Sequence, residues 1–174
     1  MLVLVLVGLV TWTNETEIIF QPVESFIEKT FNSDPPEKEL LWIKKDLKSK
    51  ISRLTRQPFE DLTIPYWREG GRTAWILNEL GKEQPITIGV VVYQGKIQSI
   101  NVLVYREKEG MEVRYPFFTG QFTGSALTRR GTLNSRIDSL SGATFSSKAL
   151  IRASIISLIL SEHLSTLQKI VQSR

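Results

Sequence analysis

The spacing of hydrophobic positions changes repeatedly along the chain, and each change predicts a different element. The first stretch is an unbroken apolar run, Met1–Val10 (MLVLVLVGLV), closed by Thr11 and followed by the polar stretch Thr13–Glu17. A membrane span takes about 20 residues, so the run has half that length and matches the apolar centre of an export signal. No Lys or Arg precedes it and no small-x-small cleavage site follows. Three readings stay open: the tail of a longer export or anchor segment, an atypical anchor, or a buried strand. Its length favours export or anchoring. Next, Val23, Phe26, Ile27 and Phe31 fall at helical spacing within Pro22–Phe31, and Asn32-Ser33 breaks that helix. Asp34-Pro35-Pro36-Glu37 reads as the opening of a second helix, with Asp34 as N-cap and Glu37 placed as in a capping box. Leu40, Leu41, Ile43, Leu47, Ile51 and Leu54 would line one face of it to about Thr55. The opposite face carries Lys44, Lys45, Lys48, Lys50 and Arg53, a solvated basic face in the plain reading and a membrane-surface contact in the sharper one.

Pro58 to Arg72 shows no period and ends at Gly70-Gly71, after which the pattern becomes that of strands. Thr73–Leu77 is a short strand candidate. Ile86–Tyr93 and Ile97–Arg106 are β-branched runs joined by Gln94-Gly95-Lys96, which predicts a hairpin. In the second run Ile100, Val102 and Val104 alternate with Ser99, Asn101 and Leu103, so one apolar face is expected. Glu107–Gly110 reads as a turn, Glu112–Pro116 as a continuation of the sheet, and the segment with Gly120, Gly124 and Gly131 as loop. Ser146 to about Val171 predicts one long helix, apolar nearly all round from Ala149 to Leu160 and so packed deep against the sheet. The expected fold is a single α+β domain over residues 21–174, an antiparallel sheet against a long C-terminal helix with helices at its N-terminal side. Residues 1–20 form a separate apolar N-terminal segment.

Composition narrows the chemistry. A chain of 174 residues suits one domain, and 41% hydrophobic against 23% charged residues excludes wholesale disorder. Without cysteine there is no disulfide framework, thiolate nucleophile or Cys-ligated zinc or iron–sulfur site. The single histidine, His163, sits in the tail of the last helix with no evident Asp and Ser partners and reads as a surface or packing residue. Any redox or group-transfer chemistry needs a reactive group brought in from outside. The net charge of +4 suits an anionic ligand or membrane surface and selects neither.

The informative segment is Ile137–Lys148 (IDSLSGATFSSK), a small-residue loop feeding into the N-terminus of the long helix. Gly142 and Ala143 leave room for close backbone approach, and Ser141, Thr144, Ser146 and Ser147 supply hydroxyls beside unpaired helix amides. The positive dipole end favours phosphate, and Lys148 adds a cation one turn in. Two readings stand together here, a phosphate cradle and an ordinary Ser/Thr-capped helix. Phe145 lies three residues before Lys148, which excludes a Ser-x-x-Lys pair; a Gly-x-Ser-x-Gly elbow, a P-loop and a Gly-x-Gly-x-x-Gly fingerprint are absent too.

Asp138-Ser139-Leu140-Ser141-Gly142-Ala143-Thr144 resembles the Asp-x-x-Ser/Thr-Gly-Ala-Thr flavinylation signature of the FMN-binding domain family. That family includes flavin-bearing components of the sodium-pumping NADH:quinone oxidoreductase and of the Rnf complex, and the chain looks most like its small stand-alone exported members. Upstream, Trp75–Lys82, the Pro85–Val92 strand, Val102–Arg114 and Phe117–Gly124 are similar to the family's earlier blocks, so the resemblance covers about residues 65–160 and, more weakly, 20–60. It implies FMN joined by a phosphoester to the Thr144 hydroxyl, made by a Mg²⁺-dependent FAD:protein FMN transferase that requires an acid at Asp138. Around the cofactor it points to Ser141, Gly142, Ala143 and Lys148, and, in the middle blocks, to Tyr105, Arg106, Glu107, Glu112, Phe117, Gln121 and Phe122. Arg106 or Arg114 is the implied cation for the phosphate or a reduced flavin, while Trp75 and Lys82 also fall in matched blocks. The family's Glu-Thr-Pro-Gly-x-Gly segment is replaced by Arg106–Glu112, a departure at the loop expected to meet the ring. The function implied is electron transfer outside the cytoplasm, in the periplasm or anchored to a membrane. The partners are the transferase and a membrane-bound or soluble redox protein, with no nucleic acid. Two alternatives are a reversible FMN or anion-binding module and a structural component of a membrane redox complex.

Overall fold

The computed structural model describes residues 17–173, and the reading of Met1–Val10 lies outside them. Six strands form one antiparallel sheet: β1 (Ile18–Ile19), β2 (Glu39–Trp42), β3 (Thr63–Glu69), β4 (Arg72–Leu80), β5 (Pro85–Tyr93) and β6 (Lys96–Tyr105), in the spatial order β1-β6-β5-β4-β3-β2. The long helix α4 (Thr144–Gln172) packs across β4, β5 and β6 on one face, with α2 (Lys45–Thr55) beside it. The short helix α1 (Val23–Thr30) covers part of the other face. Two apolar cores follow. The larger lies under α4 and includes Trp75, Ile88, Ile100, Phe118, Phe122 and Ile156; the smaller, under α1, includes Phe26, Ile27, Ala74, Val91 and Leu103. Gly89 makes the α1 side possible, because a Cβ there would lie 2.7 Å from the Phe26 ring. The α+β class, the antiparallel sheet, the long last helix and the N-terminal helices are as the sequence predicts.

The second helix is shorter than its pattern suggests. Glu39–Trp42 is an edge strand paired with β3, and α2 begins only at Lys45. The apolar positions 41 and 43 belong to a period of two: Leu41 and Ile43 are buried while Leu40 and Trp42 are exposed. Glu39 ties the pair together, accepting from Tyr66 Oη at 2.6 Å and Arg68 Nε at 2.9 Å. The stretch read as irregular supplies β3, which turns into β4 at Gly70-Gly71. Glu112–Pro116 is not strand: a 3₁₀ turn spans Met111–Arg114, the short helix α3 spans Pro116–Thr119, and another 3₁₀ turn spans Gly120–Phe122.

Strand β6 departs from simple alternation. Ile100 and Val102 join the α4-side core, but Val104 joins Leu103 on the α1 side. The cause is a bulge: Ile88 pairs with Val102 and Thr87 with Val104, so Leu103 is an extra residue. An extra residue turns over every side chain that follows, and Tyr105 therefore enters the α4-side core. A second bulge pairs Val91 with Ser99 and Val92 with Ile97, leaving Gln98 as the extra residue.

Helix α4 is long and apolar enough to cross a membrane by length and composition, yet 56% of that window is buried, as in a core helix. Its buried serines are compatible with this role because they bond locally: Ser154 donates to Leu150 O at 2.9 Å and Ser161 to Ser157 O at 2.8 Å. Ser161 also accepts from Trp75 Nε1 at 2.9 Å. One charged side chain breaks the apolar surface. Arg152 Nε meets Glu79 Oε2 at 2.5 Å, and the same guanidinium donates to Gln57 Oε1 and Pro58 O, both at 2.8 Å. Arg152 thereby fastens α4 to β4 and to the chain leaving α2.

Candidate functional site

Helix α4 begins at Thr144, two residues earlier than the sequence suggests, and its N-cap is Ala143 with no side-chain cap. An apolar N-cap leaves the first amides of the helix without the hydroxyl partner that Ser or Thr would give them. The ordinary Ser/Thr-capped helix is thus excluded. Gly142, at φ +79°, turns the chain through the left-handed region just before the cap. The four nearby hydroxyls divide into two pairs. Ser146 and Ser147 are buried and occupied by structure, while Ser141 and Thr144 are exposed. Ser147 Oγ accepts the Leu140 amide at 3.3 Å, and the Ser147 amide donates to Ala143 O at 2.8 Å, which folds the loop onto the helix.

The opposite wall comes from the end of β6. Tyr105, turned inward by the Leu103 bulge, donates to Glu109 O at 2.5 Å and lies 2.8 Å from Ser146 Oγ. A phenol has one proton, so Ser146 donates to Tyr105 Oη. Burial pushes the Tyr105 phenol up, and the Ser146 hydrogen bond opposes that shift. Gly110, at φ +87°, lets the β6 loop close on the helix start. A Cβ there would sit 3.0 Å from Ser146 Oγ, 3.1 Å from Tyr105 Oη and 3.2 Å from Ala143 Cα.

Between these walls is a cleft of about 150 Å³, lined among others by Lys82, Glu107, Lys108, Gly142, Phe145 and Ser146. Pockets that engulf a cofactor-sized ligand run to about 300–1,000 Å³, so this one is on the scale of a phosphate and its first linking atoms. Tyr115 and Phe117 are exposed and stacked with ring centroids 6.1 Å apart; together with exposed Phe145 they are the large aromatics left uncovered around this end of the fold.

The residues singled out from the sequence separate clearly. Ser141, Gly142, Ala143, Thr144 and Tyr105 meet at the mouth of α4. Lys148 follows Thr144 by one turn on the same helix face, exposed, with Nζ 5.9 Å from the Phe145 ring centroid. Gln121 acts on the loop: its Oε1 accepts the Asp138 amide at 2.8 Å and its Nε2 donates to Asp138 O at 3.3 Å. That two-point clamp presents the Asp138 carboxylate to solvent, 3.0 Å from Arg136 Nε. Glu107 Oε1 accepts the amides of Glu83 and Gln84 at 2.7 and 3.1 Å, which fastens the β4–β5 turn. Glu112 is exposed on the 3₁₀ turn. Phe118, Phe122 and Trp75 are core residues without exposure.

Arg106 is not brought to the mouth. It follows Tyr105 on the strand and turns the other way, with Nε 2.9 Å from Glu17 Oε2 and Nη1 donating to Pro85 O at 3.1 Å and Thr87 Oγ1 at 3.0 Å. Arg114 lies 4.1 Å from the Phe20 ring centroid and 4.6 Å from that of Tyr115, with a buried Nε that has no hydrogen-bond partner among the described residues. Sequence reasoning missed Ser146 as the partner of Tyr105, Gly110 as the close approach, and the Glu79–Arg152 pair. Only Gly110 had a signal, as the glycine ending a polar turn. His163 is half-buried, its pKa lowered by burial and by Lys50 and Lys44. No cluster of three His, Cys, Asp or Glu suited to a metal ion occurs among the described residues.

Comparison with known proteins fits this geometry. No curated protein matches the chain. Residues 81–155 match the family model of the FMN-binding domain. The matched stretch runs from the β4–β5 turn into the middle of α4 and contains the whole mouth: Tyr105, Gly110, Gln121, Asp138 and Thr144. Residues 81–155 are thus similar to the FMN-binding domain, and FMN is the cofactor that such a domain binds.

Proposed function

We propose that the protein is an electron-transfer flavoprotein working outside the cytoplasm, with FMN held by a phosphoester to Thr144. The observation that carries this reading is the position of Thr144: exposed, first in an uncapped 29-residue helix, and directly after the Asp138–Ala143 loop. An ester at that oxygen sets the phosphate against helix amides and the positive dipole end, with Lys148 one turn away. With FAD as donor, the Thr144 oxygen bonds to the FMN phosphorus, the pyrophosphate bond breaks, AMP leaves and the hydroxyl proton is released. FMN supplies one- and two-electron chemistry; the chain's part is to tether it, order the loop through Gln121 and Ser147, and leave the ring outside the narrow cleft.

Intact mass after co-expression with an FAD:protein FMN transferase tests the proposal. A one-FMN mass increase that disappears in Thr144→Ala is expected. An unchanged mass, or an adduct that persists in Thr144→Ala, overturns it. The phosphate-scale cleft and uncapped amides also suit a second reading, reversible FMN binding. Fluorescence in a denaturing gel separates the two, since only esterified flavin stays with the chain. Export is tested by fractionating cells that express the native gene with its upstream sequence.

A further inference from the structure

On the sheet face away from α4, a second concavity of about 420 Å³ opens beside α1. Its size falls within the range of pockets that take a small organic ligand, about 300–1,000 Å³. Two cations line it, Lys29 from α1 and Arg72 from β4, and none of its lining residues is a carboxylate. Neither cation is ion-paired among the described residues. The Arg72 guanidinium is held in place: Nε donates to Gln98 Oε1 at 2.9 Å and the group lies 5.5 Å from the Tyr93 ring centroid, leaving its terminal nitrogens available. Because Gln98 Oε1 is engaged, the Gln98 NH₂ remains a donor. Likewise Gln21 Oε1 accepts from Asn101 Nδ2 at 3.4 Å, which leaves the Gln21 NH₂. The Gln98 bulge is what puts Gln98 and Ser99 together on this face. Phe26 and Val91 supply an apolar floor.

A concavity rich in donors, bearing two unpaired cations and an aromatic floor, selects an anionic head on an apolar body. We propose that this face binds a small organic anion, with its carboxylate or phosphate on Lys29 and Arg72 and its apolar part over Phe26 and Val91. The site is separate from the Thr144 mouth, on the other side of the sheet, and does not depend on flavin attachment.

The test is titration of the full chain with benzoate, phenyl phosphate and uncharged benzamide, followed by amide NMR shifts and calorimetry. Saturable binding of at least one anion is expected, with shifts at Ser99 and Asn101 and none for benzamide. Benzoate against phenyl phosphate tells which head is recognised. Lys29→Gln, at an exposed helix position that does not threaten folding, weakens binding by about ten-fold, as does Arg72→Gln. No saturation by either anion, equal binding of benzamide, unchanged affinity in Lys29→Gln, or shifts centred on Gly142 and Thr144 instead would each overturn the proposal.

Discussion

Removing the Tyr105 hydroxyl tests the most specific feature of the helix mouth. Tyr105 is fully buried, donates to Glu109 O and accepts from Ser146 Oγ, and Ser146 is itself 3% exposed. Phe at position 105 keeps the ring and its packing but leaves the Ser146 hydroxyl without its partner in a place water hardly reaches. An unsatisfied buried group costs about 1–3 kcal/mol. Glu109 is exposed, so its carbonyl can turn to water and adds little. The expected loss for Tyr105→Phe is therefore about 1–3 kcal/mol, and at about 2–4 °C per kcal/mol for a chain of this size the melting temperature falls by several degrees. Ser146→Ala removes the donor but leaves Tyr105 bonded to Glu109 O, a loss of about 1 kcal/mol. In the double variant no hydroxyl is stranded, so it loses less than the sum of the two. Guanidinium unfolding of all four proteins gives the coupling directly, expected at about 0.5–3 kcal/mol for groups in contact. Additivity within about 0.3 kcal/mol would refute the bond and, with it, the claim that the Leu103 bulge serves to place Tyr105 on the helix.

Three further outcomes follow from the same geometry. Gly110→Ala combines a left-handed backbone, which costs a side chain about 1–2 kcal/mol, with three atoms within 3.2 Å of the new Cβ, so thermal unfolding should show a loss of at least about 1 kcal/mol. Burial raises the Glu79 carboxyl from 4.5 to about 7 against the opposing pull of Arg152. The folded state thus binds a proton more readily than the unfolded one, and this group's contribution is complete below about pH 4.5 and lost as pH rises to about 7. Denaturant midpoints across that window should fall in the native protein and fall less in Glu79→Gln; equal slopes would count against the burial argument. Gln121→Ala unfastens Asp138 while leaving the core intact, so stability changes little; under the proposed Thr144 attachment, the rate of FMN incorporation by the transferase drops several-fold, read by mass at fixed times, and an unchanged rate would mean that Asp138 needs no clamp.

What the sequence revealed and what it concealed divide along a physical line. Elements whose sides are set by their own period were legible: the apolar helix around Ala149–Leu160, the β5–β6 hairpin and the α1 stripe of Phe26, Ile27 and Phe31. Glu39–Trp42 was misread because Leu40, Leu41 and Ile43 satisfy a helical spacing as well as an alternating one, and only pairing with Thr63–Tyr66 decides between them. Glu112–Pro116 failed for a related reason: its apolar Val113 packs from a 3₁₀ turn as well as from a strand, and nothing local distinguishes the two.

The site shows the same division more sharply. The loop could be located from contiguous residues, because a run of small residues feeding a helix start is a local pattern, and the resemblance to the flavinylation signature picked out Thr144 within it. The wall opposite could not. Whether Tyr105 or Arg106 faces the helix depends on a single extra residue at Leu103, and that residue is extra only relative to the count on β5. A plain alternating strand would have sent Tyr105 to the α1 side and offered Arg106 to the mouth, as the sequence pattern suggested. The bulge reverses them. It puts a neutral hydroxyl beside Ser146 and sends the guanidinium to Glu17 and Thr87 across the sheet. The electrostatics of the mouth thus rest on the uncapped helix end, on Lys82 and Lys108 against Glu83, Glu107 and Glu109 in the cleft wall, and on Lys148 one turn into the helix, so a charge-reversing change at Arg106 should alter the β1 edge of the sheet while leaving the Thr144 environment as it is.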